Sequence, residues 1–381
     1  MHYIRLLRPP SLDVFKSGHS LKLIISITTD LGDSFLSPTT AIPIRVLIRS
    51  HGPDGSEIWT EITPVRSRPS WRSRLRVLKL DLPVPAALSG LDKLHIRPAD
   101  ARIVAGSAAD LAGREQGLIV PVSVDLGAGS DDAAHVCYRM LKLSSHPGAG
   151  LESALQVEEE IGDTSLARHV WDGGLMTLAR IANVCSPVQP AGLTSGMVRL
   201  KEILSQDREL NILEIGCGIG TLGIGLAQIF RSIQEERARA NIARYEASAT
   251  DDTDGSKVSI DYEDLDWEDG RLGKFGTKVR SRLWDLVVLS DCTYNVDTIP
   301  ALVQTLSQVH AAASRHPDWP SPGWRSKVMI GTKPRHWSEE VFVAQMEGDG
   351  WAVDEKERLP LPMLDGEPQA VEIYLFGKDG R

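Results

Sequence analysis

The sequence predicts an α/β fold: a β-rich N-terminal domain over 1–145, then a domain over 146–381 built on a parallel sheet with helices on both faces. Three observations carry that prediction. The apolar period changes from two to helical near residue 126, the charge balance reverses at the same place, and a glycine-rich turn joins a short apolar strand to a helix at 211–227. With 381 residues the chain suits two hydrophobic cores, because single domains usually run to about 100–200 residues.

In the N-terminal part, Leu21, Leu23, Ile25 and Ile27 alternate with more polar positions. So do Ile42, Ile44, Val46 and Ile48, and later Leu118, Val120, Val122, Val124 and Leu126. A period of two marks strands buried on one face. Ser50-His51-Gly52-Pro53-Asp54-Gly55-Ser56 is a turn-rich break, and no helical stripe exceeds two turns, so a small β-sandwich or barrel-like module is expected. Within it Arg66, Arg68, Arg72, Arg74, Arg76 and Lys79 surround Trp71, with Arg72, Arg74 and Arg76 on one face of an expected strand. Two readings stand for that stretch: an edge strand kept soluble by charge, which is favoured, and a basic patch for RNA or an acidic partner. Val136–Leu143 reads as a last strand before the boundary.

Beyond the boundary, helical patterns alternate with continuous apolar runs, as in a sheet covered on both faces. Helices are expected at 150–161, 170–184, 194–206, 219–247, 298–315 and 338–348, and strands at 211–215, 257–261, 284–290, 326–332, 351–357 and 370–376.

Composition narrows the function. Residues 1–126 hold 16 Lys/Arg against 12 Asp/Glu, and residues 127–381 hold 26 against 39, within a net charge of −9. That balance argues against nucleic-acid binding by the whole chain; a solvated acidic surface is the favoured reading, a cationic partner the other. Cys137, Cys185, Cys217 and Cys292 lie far apart without metal spacing, so neither a disulfide framework nor a metal site is indicated. No membrane-spanning run and no secretory h-region is found, and a cytoplasmic or nuclear protein is expected.

Asn211-Ile-Leu-Glu214-Ile-Gly216-Cys-Gly218-Ile-Gly220 is the most informative string. Glycines let the backbone turn sharply and approach a ligand, while the N–H groups of the following helix face the site. Glu214 decides between ligands: its carboxylate would repel a pyrophosphate and attract an ammonium or sulfonium. On this string the chain resembles the class I, seven-strand methyltransferases that use S-adenosylmethionine.

Three further strings narrow the resemblance to methyltransferase family 16, the protein-lysine methyltransferase-like group that also contains histidine methyltransferases. They are Val170-Trp171-Asp172-Gly173-Gly174-Leu175, Leu265-Asp266-Trp267, and Trp284 to Asn295 with its D-x-x-Y-N signature at Asp291, Tyr294 and Asn295. The similarity runs from about residue 150 to 377 and implies a Rossmann-like seven-strand sheet. It also implies S-adenosylmethionine as cofactor and a protein substrate, a lysine side chain first, with a histidine or a small-molecule amine as the alternative. For the cofactor it implies Trp171 and Asp172 over the methionine end, Glu214, Gly216, Gly218 and Gly220 in the turn, Asp266 and Trp267 at the adenine, and Ser290 at the end of the fourth strand. For catalysis it implies Asp291 holding the incoming ammonium, Tyr294 lining the access, and Asn295. Packing or capping is the structural alternative for Asp291, Tyr294, Trp171 and Trp267. Cys217 and Cys292 read as small apolar fillers.

One part departs from the family. A second strand ending in an acidic residue should follow the glycine-loop helix and meet the cofactor's ribose, yet 228–240 passes from one helical pattern into another. Glu235 stands at an acceptable distance for that role. Three readings remain: a degenerate strand presenting Glu235, an inactive relative acting as an interaction module, and a piece lost through mis-assigned splicing, which is favoured. An NAD-dependent oxidoreductase is the weakest alternative, because it lacks its ribose ligand and fits Glu214 poorly.

Overall fold

The computed structural model describes residues 1–15, 18–52, 54–85, 92–113, 117–126, 135–143, 154–162, 168–186, 193–205, 210–229, 260–313, 325–335 and 339–379. Two compact units result. The first comprises Met1–Lys142 with Ala154–Trp171 and Pro360–Gln369, and the second Leu143–Ser153, Asp172–Leu359 and Ala370–Arg381.

The first unit is built from β1 (His2–Leu6), β2 (Ser11–Phe15), β3 (Gly18–Thr28), β4 (Ile42–His51), β5 (Glu57–Glu61), β6 (Ser70–Trp71), β7 (Leu78–Val84), β8 (Lys93–Pro98), the short helix α1 (Ala108–Gly113), β9 (Ile119–Val120), β10 (Val122–Asp125), β11 (Val136–Lys142) and β12 (Ala154–Glu160). One sheet runs β2-β3-β1-β9 with β7 beside β3, and the other runs β12-β11-β10-β8-β4-β5 with β6 beside β4. Alternation explains both. Leu21, Leu23, Ile25 and Ile27 of one sheet join Ile44, Val46, Ile48, Leu94 and Ile96 of the other in a single apolar core, as expected when successive side chains point to opposite faces.

Two expectations are corrected here. The helix expected at 150–161 is strand β12 over its described part, paired antiparallel with β11 from Val136↔Glu160 to Lys142↔Ala154. Its glutamate-rich string favours a helix locally, but Leu155 and Val157 alternate into the core and the β11 ladder wins. Glu159 is buried with them and meets Arg139 at 2.5 Å, while Val170 N–H donates to its other oxygen at 2.7 Å. Likewise, Arg72, Arg74 and Arg76 do not lie on one strand. Val65–Ser67 is a 3-10 turn, Ser70–Trp71 is the two-residue β6, Arg74 reverses the chain at φ +66, and β7 begins only at Leu78. Trp71 is fully buried and donates its indole N–H to Leu36 O at 2.7 Å, so it is core and not a surface platform.

The second unit contains α2 (Asp172–Cys185), α3 (Ser195–Leu204), β13 (Ile212–Glu214), α4 (221–229), α5 (Trp267–Gly270), α6 (Thr277–Arg280), β14 (Leu286–Ser290), α7 (Ile299–Ala313), β15 (Arg325–Thr332), α8 (Glu339–Gly348), β16 (Ala352–Pro360) and β17 (Ala370–Asp379). Its described sheet has five strands in the order β13-β14-β15-β17-β16. β13, β14 and β15 are parallel, and β17 returns antiparallel to β15. Val287, Leu289, Val328, Ile330 and Phe376 pack with α7 and α8, while α2 lies against β14, β15 and β17. Burial on both faces is why these strands read as unbroken apolar runs. The strand expected from 257, the helix continuation to 247 and Glu235 lie outside the described residues, apart from residues 260 and 261, which are not in a strand.

Candidate active site

Parallel strands bring their carboxyl ends to one edge, where open α/β sheets bind ligands. β13 ends at Glu214 and enters the turn at Gly216, Gly218 and Gly220, with φ of +70, +51 and +78. All three values lie in the left-handed region that suits glycine. The turn opens α4, whose Gly223 N–H donates to Glu214 Oε2 at 2.8 Å. Glu214 therefore holds the helix start, and its negative charge suits a helix N-terminus. Desolvation nevertheless dominates and pushes its carboxyl up to about 7, against the lowering by the Gly223 and Leu222 N–H groups. No cation of the described residues pairs with it.

Trp267 and Cys292 close on the same turn. A Cβ at Gly216 would lie 2.6 Å from Cys292 Sγ, so a side chain there would displace the thiol, and it would touch Trp267 Cζ2 at 3.5 Å. The Cys292 thiol lies 3.0 Å from Ser290 O, and burial pushes it up to about 12. It stays protonated and fills space, as does half-buried Cys217, whose thiol is also raised by burial. Asp266 is exposed and caps α5 by accepting from Glu268 N at 2.8 Å.

At the end of β14, Asp291 adopts φ +46, a left-handed conformation that aspartate tolerates better than most residues. Its carboxylate is only 4% exposed and is engaged on both oxygens. Oδ2 accepts from Gly173 N at 2.7 Å, and Oδ1 accepts from Lys333 N and Arg335 Nη1, each at 3.0 Å. A Cβ at Gly173 would stand 2.5 Å from that carboxylate, which is the physical reason for a glycine there. Gly174 similarly comes close to Ser290, whose Oγ would be 3.1 Å from an added Cβ. The carboxylate expected to hold an incoming ammonium is thus already taken up in joining α2 to the loop after β15.

Asp172, fully buried in the first turn of α2, meets Lys333 Nζ at 2.8 Å. Burial of both ends demands that pairing. Trp171, half-buried, precedes α2 and falls in the first compact unit. Tyr294 is 63% exposed. Asn295 accepts from Asp297 N at 3.1 Å through its side chain and from Thr298 N at 3.2 Å through its backbone, a turn that starts α7.

Lys333 and Arg335 were missed by sequence reasoning, although Gly331-Thr-Lys-Pro-Arg335 at the carboxyl end of a buried strand is a signal that could have found them. Beside Arg335 a cleft of about 370 Å³ opens, lined among others by Thr293, Thr332, Phe342, Lys356 and Tyr374. Among the described residues no three His, Cys, Asp or Glu gather as for a metal ion, and no helix is long and apolar enough to cross a membrane.

A glycine turn with a desolvated carboxylate beside it, at the carboxyl edge of a parallel sheet, marks a ligand-binding α/β domain. Residues 151–349 match the family model described as lysine methyltransferase, and the chain belongs to that family. It is also similar to a UPF0665 family protein of Schizosaccharomyces pombe, with 22% identity over 390 residues that cover 99% of each chain.

Proposed function

We propose that this methyltransferase uses S-adenosylmethionine and transfers the methyl group to a lysine side chain of another protein. The observation that carries the reading is Glu214: a desolvated carboxylate beside three left-handed glycines, with no cation of the described residues to neutralise it. A ligand with an ammonium and a sulfonium fits that charge, whereas a pyrophosphate does not. When bound, S-adenosylmethionine supplies an electrophilic methyl group.

The chain's own residues then bind and orient. Glu214 takes the ligand's cationic end, the backbone at Gly216, Gly218 and Gly220 permits close approach, and the Trp267 ring beside Gly216 offers a flat face to the adenine. Asp291 is a positioning residue: through Gly173, Lys333 and Arg335 it fixes the start of α2 and the loop after β15 around the place where the acceptor arrives. Tyr294, exposed three residues beyond it, lines the acceptor's approach, and Asn295 holds that loop through its turn. Transfer needs a neutral amine, so the lysine releases its proton to water before it attacks.

The test is incubation of the purified chain with tritiated S-adenosylmethionine and a protein extract, followed by acid hydrolysis. Label on methylated lysine is expected, with Tyr294→Phe slower. Label on histidine would move the assignment to that acceptor, and no label on any protein would remove it.

A further inference from the structure

The outward face of the β12-β11-β10-β8-β4-β5 sheet carries a charge imbalance that the reaction does not use. Arg45 of β4 stands directly opposite Arg97 of β8. Like charges in cross-strand register destabilise a sheet. Glu61 of β5 answers only part of that charge. Its Oε2 meets Arg45 Nη2 at 2.8 Å, and its Oε1 meets Arg68 Nε at 2.9 Å. Arg68 and Arg45, together with the Thr63 hydroxyl, hold the Glu61 carboxyl down at about 2, so it is fully ionised and already shared. Arg97 is partly buried and pairs with no carboxylate of the described residues; burial, and then the charge of Arg45, lower its guanidinium from its ordinary value.

Three guanidinium groups therefore surround one carboxylate. They are not loose surface charges: the Arg45 and Arg68 side chains are 27% and 26% exposed. Toward the other end of β4 and β8 the cations are matched. Arg49 has Asp92 at 2.6 Å and Glu57 at 2.5 Å, and Lys93 has Asp125 at 3.8 Å. The excess is local to Arg45, Arg68 and Arg97, and Arg45 and Arg97 lie at the other end of β4 and β8 from Arg49 and Lys93.

We infer that Arg45, Arg68 and Arg97 form a docking site for an acidic polypeptide segment of a partner, whose side-chain carboxylates complete the charge left open around Glu61. Guanidinium groups match carboxylates in bidentate geometry. Asp92, Asp125 and Glu57 argue for a short acidic segment over nucleic acid, because a continuous phosphate backbone crossing this face would meet them. Trp59, 41% exposed and stacked under Arg49, gives the segment an apolar contact beside the charges.

The experiment titrates the full chain with fluorescently labelled hexaglutamate at low ionic strength, with hexalysine and a single-stranded oligonucleotide in parallel. Hexaglutamate is expected to bind, and Arg97→Gln to weaken it about tenfold. Arg271→Gln, a control whose partner Glu268 lies 2.5 Å away in the second unit, should leave it unchanged. The unliganded Arg97→Gln chain should also melt no lower than the native one, since a repulsion has been removed; Arg68→Gln supplies a second, independent loss of binding. Three results would overturn the inference: no hexaglutamate binding, equal binding by the native, Arg97→Gln and Arg68→Gln chains, or tighter oligonucleotide binding that the same substitutions abolish.

Discussion

Carboxylates withdrawn from water are paired with cations in both units, with one exception. In the β-rich unit Glu159 is 1% exposed and has Arg139 at 2.5 Å, which also donates to Pro121 O at 2.7 Å. In the second unit Asp172 and Asp291 have Lys333 and Arg335. Glu214 alone of these four has no cation of the described residues, and it is the one beside the glycine turn. Closed pairs hold a fold together; a desolvated carboxylate without a counter-charge is costly to keep and makes sense where a ligand supplies the charge.

The sharpest way to break that comparison is to neutralise both kinds of carboxylate. Glu159→Gln leaves Arg139 buried and uncompensated, and chemical denaturation should show a loss of about 3–5 kcal/mol. Lys333→Met should cost a similar amount by removing the cation that meets Asp172, with part recovered when Asp172→Asn is added, a coupling that a double-mutant cycle reads. Glu214→Gln is expected to behave in the opposite sense. Its native carboxyl titrates at about 7 against an ordinary 4.5, so between those values the folded state binds more protons than the unfolded one. Stability contributed by this group is therefore greatest at low pH and falls as pH rises through that window, by no more than about 3 kcal/mol. Glu214→Gln should flatten that pH dependence and leave the chain as stable as the native one or more so above neutrality, while S-adenosylhomocysteine binding is lost.

Smaller effects sharpen the picture. A Cβ at Gly331 would lie 1.8 Å from Thr177 Oγ1, so Gly331→Ala should cost about 1–3 kcal/mol by overpacking α2 against β15. Gly218→Ala places a side chain at φ +51 and should cost about 1 kcal/mol, with a larger fall in cofactor affinity. Tyr294→Phe, at a 63% exposed position, should leave the unfolding curve unchanged and alter only turnover.

Much of this was legible in the sequence, and the limits have physical causes. The glycine turn, the apolar run of β14 and the alternating strands of the first unit are contiguous patterns, so periodicity and spacing expose them. β12 was misread because local propensity speaks for Ala154–Glu160 in isolation, whereas its pairing with β11 is decided by partners distant in sequence. The engagement of Asp291 by Lys333 and Arg335 was hidden for the same reason: those residues are neighbours only because β14 and β15 end side by side. Trp71 stands among arginines in the sequence, and only the fold shows that it is fully buried in the core.

Calorimetric titration of the full chain with S-adenosylhomocysteine, repeated from about pH 6 to about pH 8, tests the open charge at Glu214 most directly. One saturating site is expected, with affinity rising across that range, proton release near the pKa of Glu214, and loss of both in Glu214→Gln. A folded chain that takes up no ligand at any of these pH values, or one whose affinity ignores both pH and Glu214→Gln, would contradict the assignment.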